Sequence, residues 1–166
     1  MSQEKTNAMR LLEGKKVPYE AFTFSPEIHV ATEVASTLGF PAAQVYKTLV
    51  VLREKGRPLL VMVASDREID LRRLAKSIKE KSLHMAPHKE AERLTGLQVG
   101  GISALALLGR GFDVYIDRTA SDLESVLVSA GKRGINLRLR VKDLMALTSA
   151  RWVEATAGEP ATAPSE

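Results

Sequence analysis

The sequence contains no cysteine. Disulfides, thiolate zinc sites and a cysteine nucleophile are therefore excluded. No apolar run approaches the roughly 20 residues of a membrane-spanning helix. No secretory leader is visible at the start, so a cytoplasmic protein with no membrane partner is expected. Phosphate-binding glycine patterns of the Walker and Rossmann kinds are missing. A serine hydrolase would need a nucleophile elbow, and Gly101-Ile102-Ser103-Ala104-Leu105 has the serine but lacks the second glycine of that turn. His84 and His88 have a helical metal-ligand spacing, but Pro87 between them is placed to start a helix, so they are not expected to share a face. No metal or other cofactor is expected. Acidic residues are the minority, 20 against 24 Lys and Arg, and the isoelectric point is about 9.4. That surplus allows an anionic partner, and its placement matters more than its size.

What is present suffices for one folded domain: 166 residues, 45% hydrophobic and 27% charged. Thr6 caps a short helix carrying Met9 and Leu12, ended by Gly14. Residues 17–24 alternate as an edge strand that tolerates Pro18. Thr32 caps a helix through Val34, Ala35 and Leu38, closed by Gly39, and Pro41 opens a briefer one. A strand from Thr48 turns at residues 54–57 and returns over residues 59–63, a hairpin signal. Asp70 caps a helix with Leu71, Leu74, Ala75 and Ile78 on one face and Arg72, Arg73, Lys76 and Lys79 on the other. Pro87 begins a helix ended at Gly96. Residues 114–116 and 125–128 read as strands. Residues 130–134 form a hairpin loop, after which Ile135, Leu137 and Leu139 alternate with Asn136, Arg138 and Arg140 as a strand with one wet face. Asp143 caps a last helix. No internal repeat or linker divides the chain. The expected fold is α+β, a single compact domain over residues 1–156 with a curved, mostly antiparallel mixed sheet flanked by helices. Residues 157–166 carry no large apolar side chain and are expected to form a disordered tail.

The chain is organised around residues 46–52, Tyr-Lys-Thr-Leu-Val-Val-Leu, where a lysine precedes a strand-like apolar run. A charge at the mouth of a buried strand faces a cleft, finds an anionic partner, or snorkels its stem over the core. Two further stretches could meet Lys47-Thr48 in space. One is Gly100-Gly101-Ile102-Ser103, whose bare backbone can approach a ligand and aim amides at it. The other is Ser129-Ala130-Gly131-Lys132-Arg133-Gly134, a hairpin tip with two more cations. Each alone is an ordinary turn or strand end. Together they suit an anionic or carbonyl-bearing ligand.

In this order and spacing, with Leu71-Arg72-Arg73-Leu74-Ala75-Lys76, Met85-Ala86, Thr95-Gly96 and Asp143-Leu144 between and after them, these motifs resemble the YbaK family. Its members are free-standing relatives of the prolyl-tRNA synthetase editing domain, and the resemblance runs over residues 8–147. It implies a YbaK-like fold and hydrolysis of aminoacyl esters from mischarged tRNA, of the Cys-tRNA(Pro) type or a related one, with a synthetase as a further partner. It also implies that Lys47 engages the substrate's terminal nucleotide and that the main chain of Gly100 and Gly101 brackets the scissile ester. Phe24, Thr48, Ile102, Ser103, Ala104, Ser129 and Gly131 would line the substrate site. The cations Arg72, Arg73, Lys76, Lys132, Arg133 and Arg138 are candidates for tRNA phosphates. The family is not thought to use a protein nucleophile: water, assisted by the substrate, attacks an ester held and polarised by the protein. Departures from its pattern are Ala104 for proline, Phe24 for a tyrosine of some members, Ala130 for glycine, Val141 for proline, and a changed stretch over residues 105–112. The alternative reading is a tRNA- or nucleotide-binding module that has lost efficient hydrolysis.

Overall fold

The computed structural model describes residues 5–157. The expected tail therefore lies, apart from Ala157, outside the described residues. In chain order the elements are α1 (Asn7–Gly14), β1 (Glu20–Thr23), α2 (Ala31–Leu38), β2 (Tyr46–Arg53), β3 (Leu59–Ala64), α3 (Leu71–Ser77), β4 (Leu83–Met85) and α4 (His88–Thr95). They continue with β5 (Asp113–Asp117), β6 (Ser125–Ser129), β7 (Ile135–Arg140), α5 (Val141–Thr148) and β8 (Arg151–Val153). Short 3-10 turns cover Ala42–Gln44, Leu105–Leu107 and Arg118–Asp122.

The unbroken apolar run of β3 predicts a strand buried on both faces, and every residue of it is buried. It lies at the centre of a five-stranded sheet ordered β4-β2-β3-β5-β8. β2 and β3 form the expected antiparallel hairpin, Lys47 opposite Val63, while β3–β5 and β5–β8 are parallel. A second, antiparallel sheet is ordered β1-β7-β6. A parallel bridge from Val45 to Leu127 joins the two, so the single curved sheet expected is built as two that meet at one strand end. The class is as expected: one mixed α/β domain in which antiparallel pairing predominates. One core fills the space between the sheets, with Tyr46, Val50, Leu60, Met62 and Ile116 facing Val126, Val128, Leu137 and Leu139. A second lies behind the larger sheet, where Val51, Val61 and Val63 pack under Leu74 and Ala75 of α3.

Two of the capping side chains expected from the sequence satisfy a backbone donor at a helix start. Thr6 accepts from the Met9 amide and Asp70 from the Arg73 amide, both as N-caps. Several expectations are corrected. Thr32 lies inside α2, whose N-cap is Val30 with no side-chain bond. Asp143 lies in the first turn of α5, where it receives Arg140 Nε at 3.1 Å; Arg140 is the N-cap. Gly14 is the last residue of α1, and the left-handed turn falls on Lys16. β2 starts at Tyr46, so Lys47 is a strand residue rather than the one before it. β4 and β8 are strands that the sequence did not reveal.

The segment after β8 is fastened to the sheet by the carboxylate of Asp117, which is 2% exposed. Its Oδ1 accepts the Ala155 amide at 2.7 Å, and its Oδ2 accepts the hydroxyls of Thr119 at 2.8 Å and Thr156 at 2.9 Å. The Asp70 amide donates to Ala155 O, so the cap of α3 and Asp117 hold the same segment.

Candidate active site

Where the sheets meet, a cavity of about 350 Å³ opens beside the start of β2. Its apolar wall is Val45, Tyr46, Val50, Ala86, Ala91 and Ile102; its polar groups come from Lys47, Thr48, Ser65, Ser129, Asn136, His29 and His88. Strand pairing fixes the floor: Ser129 and Asn136 are opposite each other on β6 and β7, and Lys47 is held on β2 by Val63. Ser65, at the end of β3, donates to Ala42 O at 2.6 Å, while its amide donates to Val45 O. That double tie holds the 3-10 turn that delivers the chain into β2.

The ammonium of Lys47 is partly withdrawn from water, and this burial lowers its pKa from the ordinary lysine value. The carboxylates of Glu68 and Asp66 act in the opposite direction. Beside it, the Thr48 hydroxyl is buried without a hydrogen-bond partner, an unusual state for a buried polar group and one that a bound ligand would satisfy. Tyr46 is anchored from behind by a 2.7 Å bond to Thr119 Oγ1, which itself donates to Asp117. Burial pushes the Tyr46 phenol up to about 12, so it is neutral over the working range.

The glycine loop meets the site through tight packing. Gly100 has φ +93°, and a Cβ on it would stand 2.5 Å from the Cβ of His29. A Cβ on Gly101 would come within 2.9 Å of the Arg133 amide nitrogen. The loop is thus wedged between the turn before α2 and the β6–β7 hairpin tip. Arg133 Nε donates to Val99 O at 2.7 Å and clamps it.

Of the residues anticipated from sequence, Lys47, Thr48, Gly100, Ile102 and Ser129 line the cavity together. Gly101 does not line it, and its amide is committed to Gln98 O at 2.7 Å. Ser103 and Ala104 are buried beneath the loop, Gly131 packs against Ala106, and Phe24 lies along the Gly134 backbone; none of them lines the cavity. The anticipated cations are dispersed. Arg72, Arg73 and Lys76 are on α3, behind the larger sheet, with Arg73 paired to Glu154 at 3.2 Å. Arg138 lies over the Phe40 ring at 5.5 Å and pairs with Glu20. Lys132 and Arg133 line a separate depression that shares His29 with the cavity.

Asn136 is the main cavity residue that sequence reasoning missed. The alternation places it on a wet face, yet it is 7% exposed, because at its end of β7 that face covers the cavity, while Arg140 at the other end meets solvent. A short uncharged polar side chain ahead of Arg138 and Arg140 on the same face of an alternating strand was its available signal. His29 carried none, being one residue of an ordinary turn.

Residues 25–147 match the model of the aminoacyl-tRNA editing domain. The chain belongs to that family. It is similar to EbsC of Enterococcus faecalis, a candidate Cys-tRNA(Pro)/Cys-tRNA(Cys) deacylase, at 36% identity over 160 residues, covering 95% of this chain and 97% of that one. It is also similar to the proline--tRNA ligase of Caldicellulosiruptor bescii, 27% identical over 128 residues, which spans 76% of this chain and 22% of that enzyme. Among solved structures, a candidate trans-editing enzyme for prolyl tRNA synthetase superposes with a TM-score of 0.76 at 23% identity, covering 93% of this chain and 100% of the other. The hypothetical protein APE2540 reaches 0.81 at 20% identity, covering 89% and 97%. At these identities the two structures establish the fold.

Proposed function

We propose that this chain is a cytoplasmic trans-editing aminoacyl-tRNA deacylase, with residues 1–156 as its editing domain. Its substrate is the ester of a mischarged tRNA of the Cys-tRNA(Pro) type. The observation carrying this reading is the cavity that gathers Lys47, the unpartnered Thr48 hydroxyl and Gly100 in a chain of the editing family. A prolyl-tRNA synthetase is the natural companion, as the source of the mischarged product.

The chemistry asked of the site is modest. An aminoacyl ester is already activated, so water can attack its carbonyl and expel the ribose hydroxyl once the ester is held and its oxyanion stabilised. Lys47 supplies a cation for the terminal nucleotide, and Thr48 a hydroxyl whose hydrogen bond forms only when substrate is present. Gly100 allows main chain to approach where any side chain would meet His29. Gly101 supports this from below, through Gln98 and the hairpin tip, rather than touching the ester. No nucleophilic side chain is required.

The test is turnover of a panel of mischarged tRNAs by the purified protein. Multiple-turnover release of cysteine from Cys-tRNA(Pro) is the expected result. Binding of these tRNAs without release would instead favour the non-catalytic module, the reading to which Ala104, in place of the family's proline, lends support.

A further inference from the structure

Beside the cavity lies a more open and more polar depression of about 430 Å³. Pro26, Glu27 and His29 line it from the turn before α2, Gln98 from the foot of the glycine loop, and Lys132 and Arg133 from the β6–β7 hairpin tip. His29 belongs to both spaces, and its contact with Gly100 makes it the partition between them. The charged groups here are Lys132 and Arg133 against Glu27, a positive balance. Arg133 is braced on Val99 O, so its charge is fixed to the same loop that carries Gly100.

An aminoacyl ester in the cavity is the end of an RNA strand, and that strand must leave past the rim with its phosphates. Grooves of net positive charge are what unpaired strands follow. The cations of α3 lie behind the larger sheet and cannot serve a strand emerging here. We propose that the depression between Glu27 and Lys132 receives the phosphates of the unpaired 3′-terminal strand of the RNA, which enters the cavity past His29. This rests on the deacylase reading for the identity of the strand but concerns RNA capture, not hydrolysis.

The test uses the full chain and a labelled, uncharged single-stranded RNA ending in cytidine-cytidine-adenosine, with binding followed by fluorescence anisotropy across a salt series. Lys132→Glu should weaken binding about tenfold and flatten the log–log salt dependence by roughly 0.7–1, the share of about one phosphate contact. Glu27→Lys should tighten binding and steepen that slope. Lys142→Glu, the same charge change on α5, should stay within about twofold, as expected for a change away from any phosphate contact. Thermal melts establish that each variant is folded. Absence of binding by the unmutated protein, indifference to both groove variants, or an equal loss in Lys142→Glu would overturn the proposal. Ester hydrolysis is scored separately on the unmutated protein. RNA binding that follows the groove variants without any hydrolysis would sink the deacylase reading and leave the groove; hydrolysis with RNA binding indifferent to them would sink the groove alone.

Discussion

Lys47 occupies a position where burial works against its own charge. The unfolded chain holds its proton more tightly than the folded one. Stability is therefore lowered at every pH below the folded-state pKa and recovers as pH rises to the ordinary lysine value of 10.5. Lys47→Met, which keeps the stem and removes the charge, should raise the denaturation midpoint at pH 7, and the gain should vanish near pH 10.5. The same variant should lose about ten- to a hundredfold in kcat/KM, the worth of a charge-assisted contact. A variant less stable at pH 7, or one that turns over normally, would refute the assignment of Lys47.

Thr48 gives a sharper separation of function from fold. Its buried hydroxyl has no partner to lose in the free protein. Thr48→Val should leave the melting temperature unchanged or raised, because an unsatisfied buried hydroxyl is replaced by a methyl group. With substrate the balance reverses, and kcat/KM should fall several-fold, about 1 kcal/mol for one neutral hydrogen bond. Melting curves and steady-state kinetics on the same preparation decide it. A clear loss of stability with unchanged kinetics would mean that the hydroxyl belongs to the fold.

Among the elements, the loop over residues 100–107 carries the clearest departure from the family's pattern. Ala104 has φ −63° and ψ −32°, inside the range that proline imposes, and it leads directly into the turn Leu105–Leu107. Among the described residues its amide donates to no acceptor. Ala104→Pro should therefore be accepted without strain and stabilise by about 0.4–1 kcal/mol through the unfolded chain. That corresponds to roughly 1–4 °C in melting temperature for a chain of this size. Deacylation should hold or improve. A fall in both stability and rate would show that the rebuilt stretch after Ala104 needs the smaller residue.

Elements were legible where their signal is local and strong. The long apolar runs of β2 and β3, the turn between them, and the caps Thr6 and Asp70 all announce themselves within a few residues. Thr32 and Asp143 are good capping residues that were out-competed, since the chain enters both helices earlier and packing sets the start. β4 and β8 are three residues each and exist only because a neighbouring strand offers its edge. The site was half legible for the same reason. Lys47, Thr48 and the glycine loop stand out as residue types in unusual places, whereas Asn136 and His29 become cavity residues only through which face a strand or turn happens to cover.

For the molecule as a whole, the carboxylate of Asp117 has a consequence for where this domain can be cut. The family match stops at residue 147. The sheet does not: β8 still has to pair with β5, and Ala155 and Thr156 still have to reach Asp117. A chain ended at residue 149 would leave that buried carboxylate short of two donors, at about 1.5–3 kcal/mol each for hydrogen bonds to a charged group. It would also bare one side of β5, a parallel strand with an open row of backbone donors and acceptors. Together these remove a large share of the roughly 5–15 kcal/mol that holds a domain folded. Size-exclusion chromatography should find the shortened protein aggregated, while one ended at residue 157 remains a monodisperse species; a shortened form that stays soluble and melts within a few degrees of the longer one would contradict this. Anyone transplanting the domain into another protein must therefore carry the last strand and its two-residue hook with it, because the piece that the family model delimits is smaller than the piece that can stand alone.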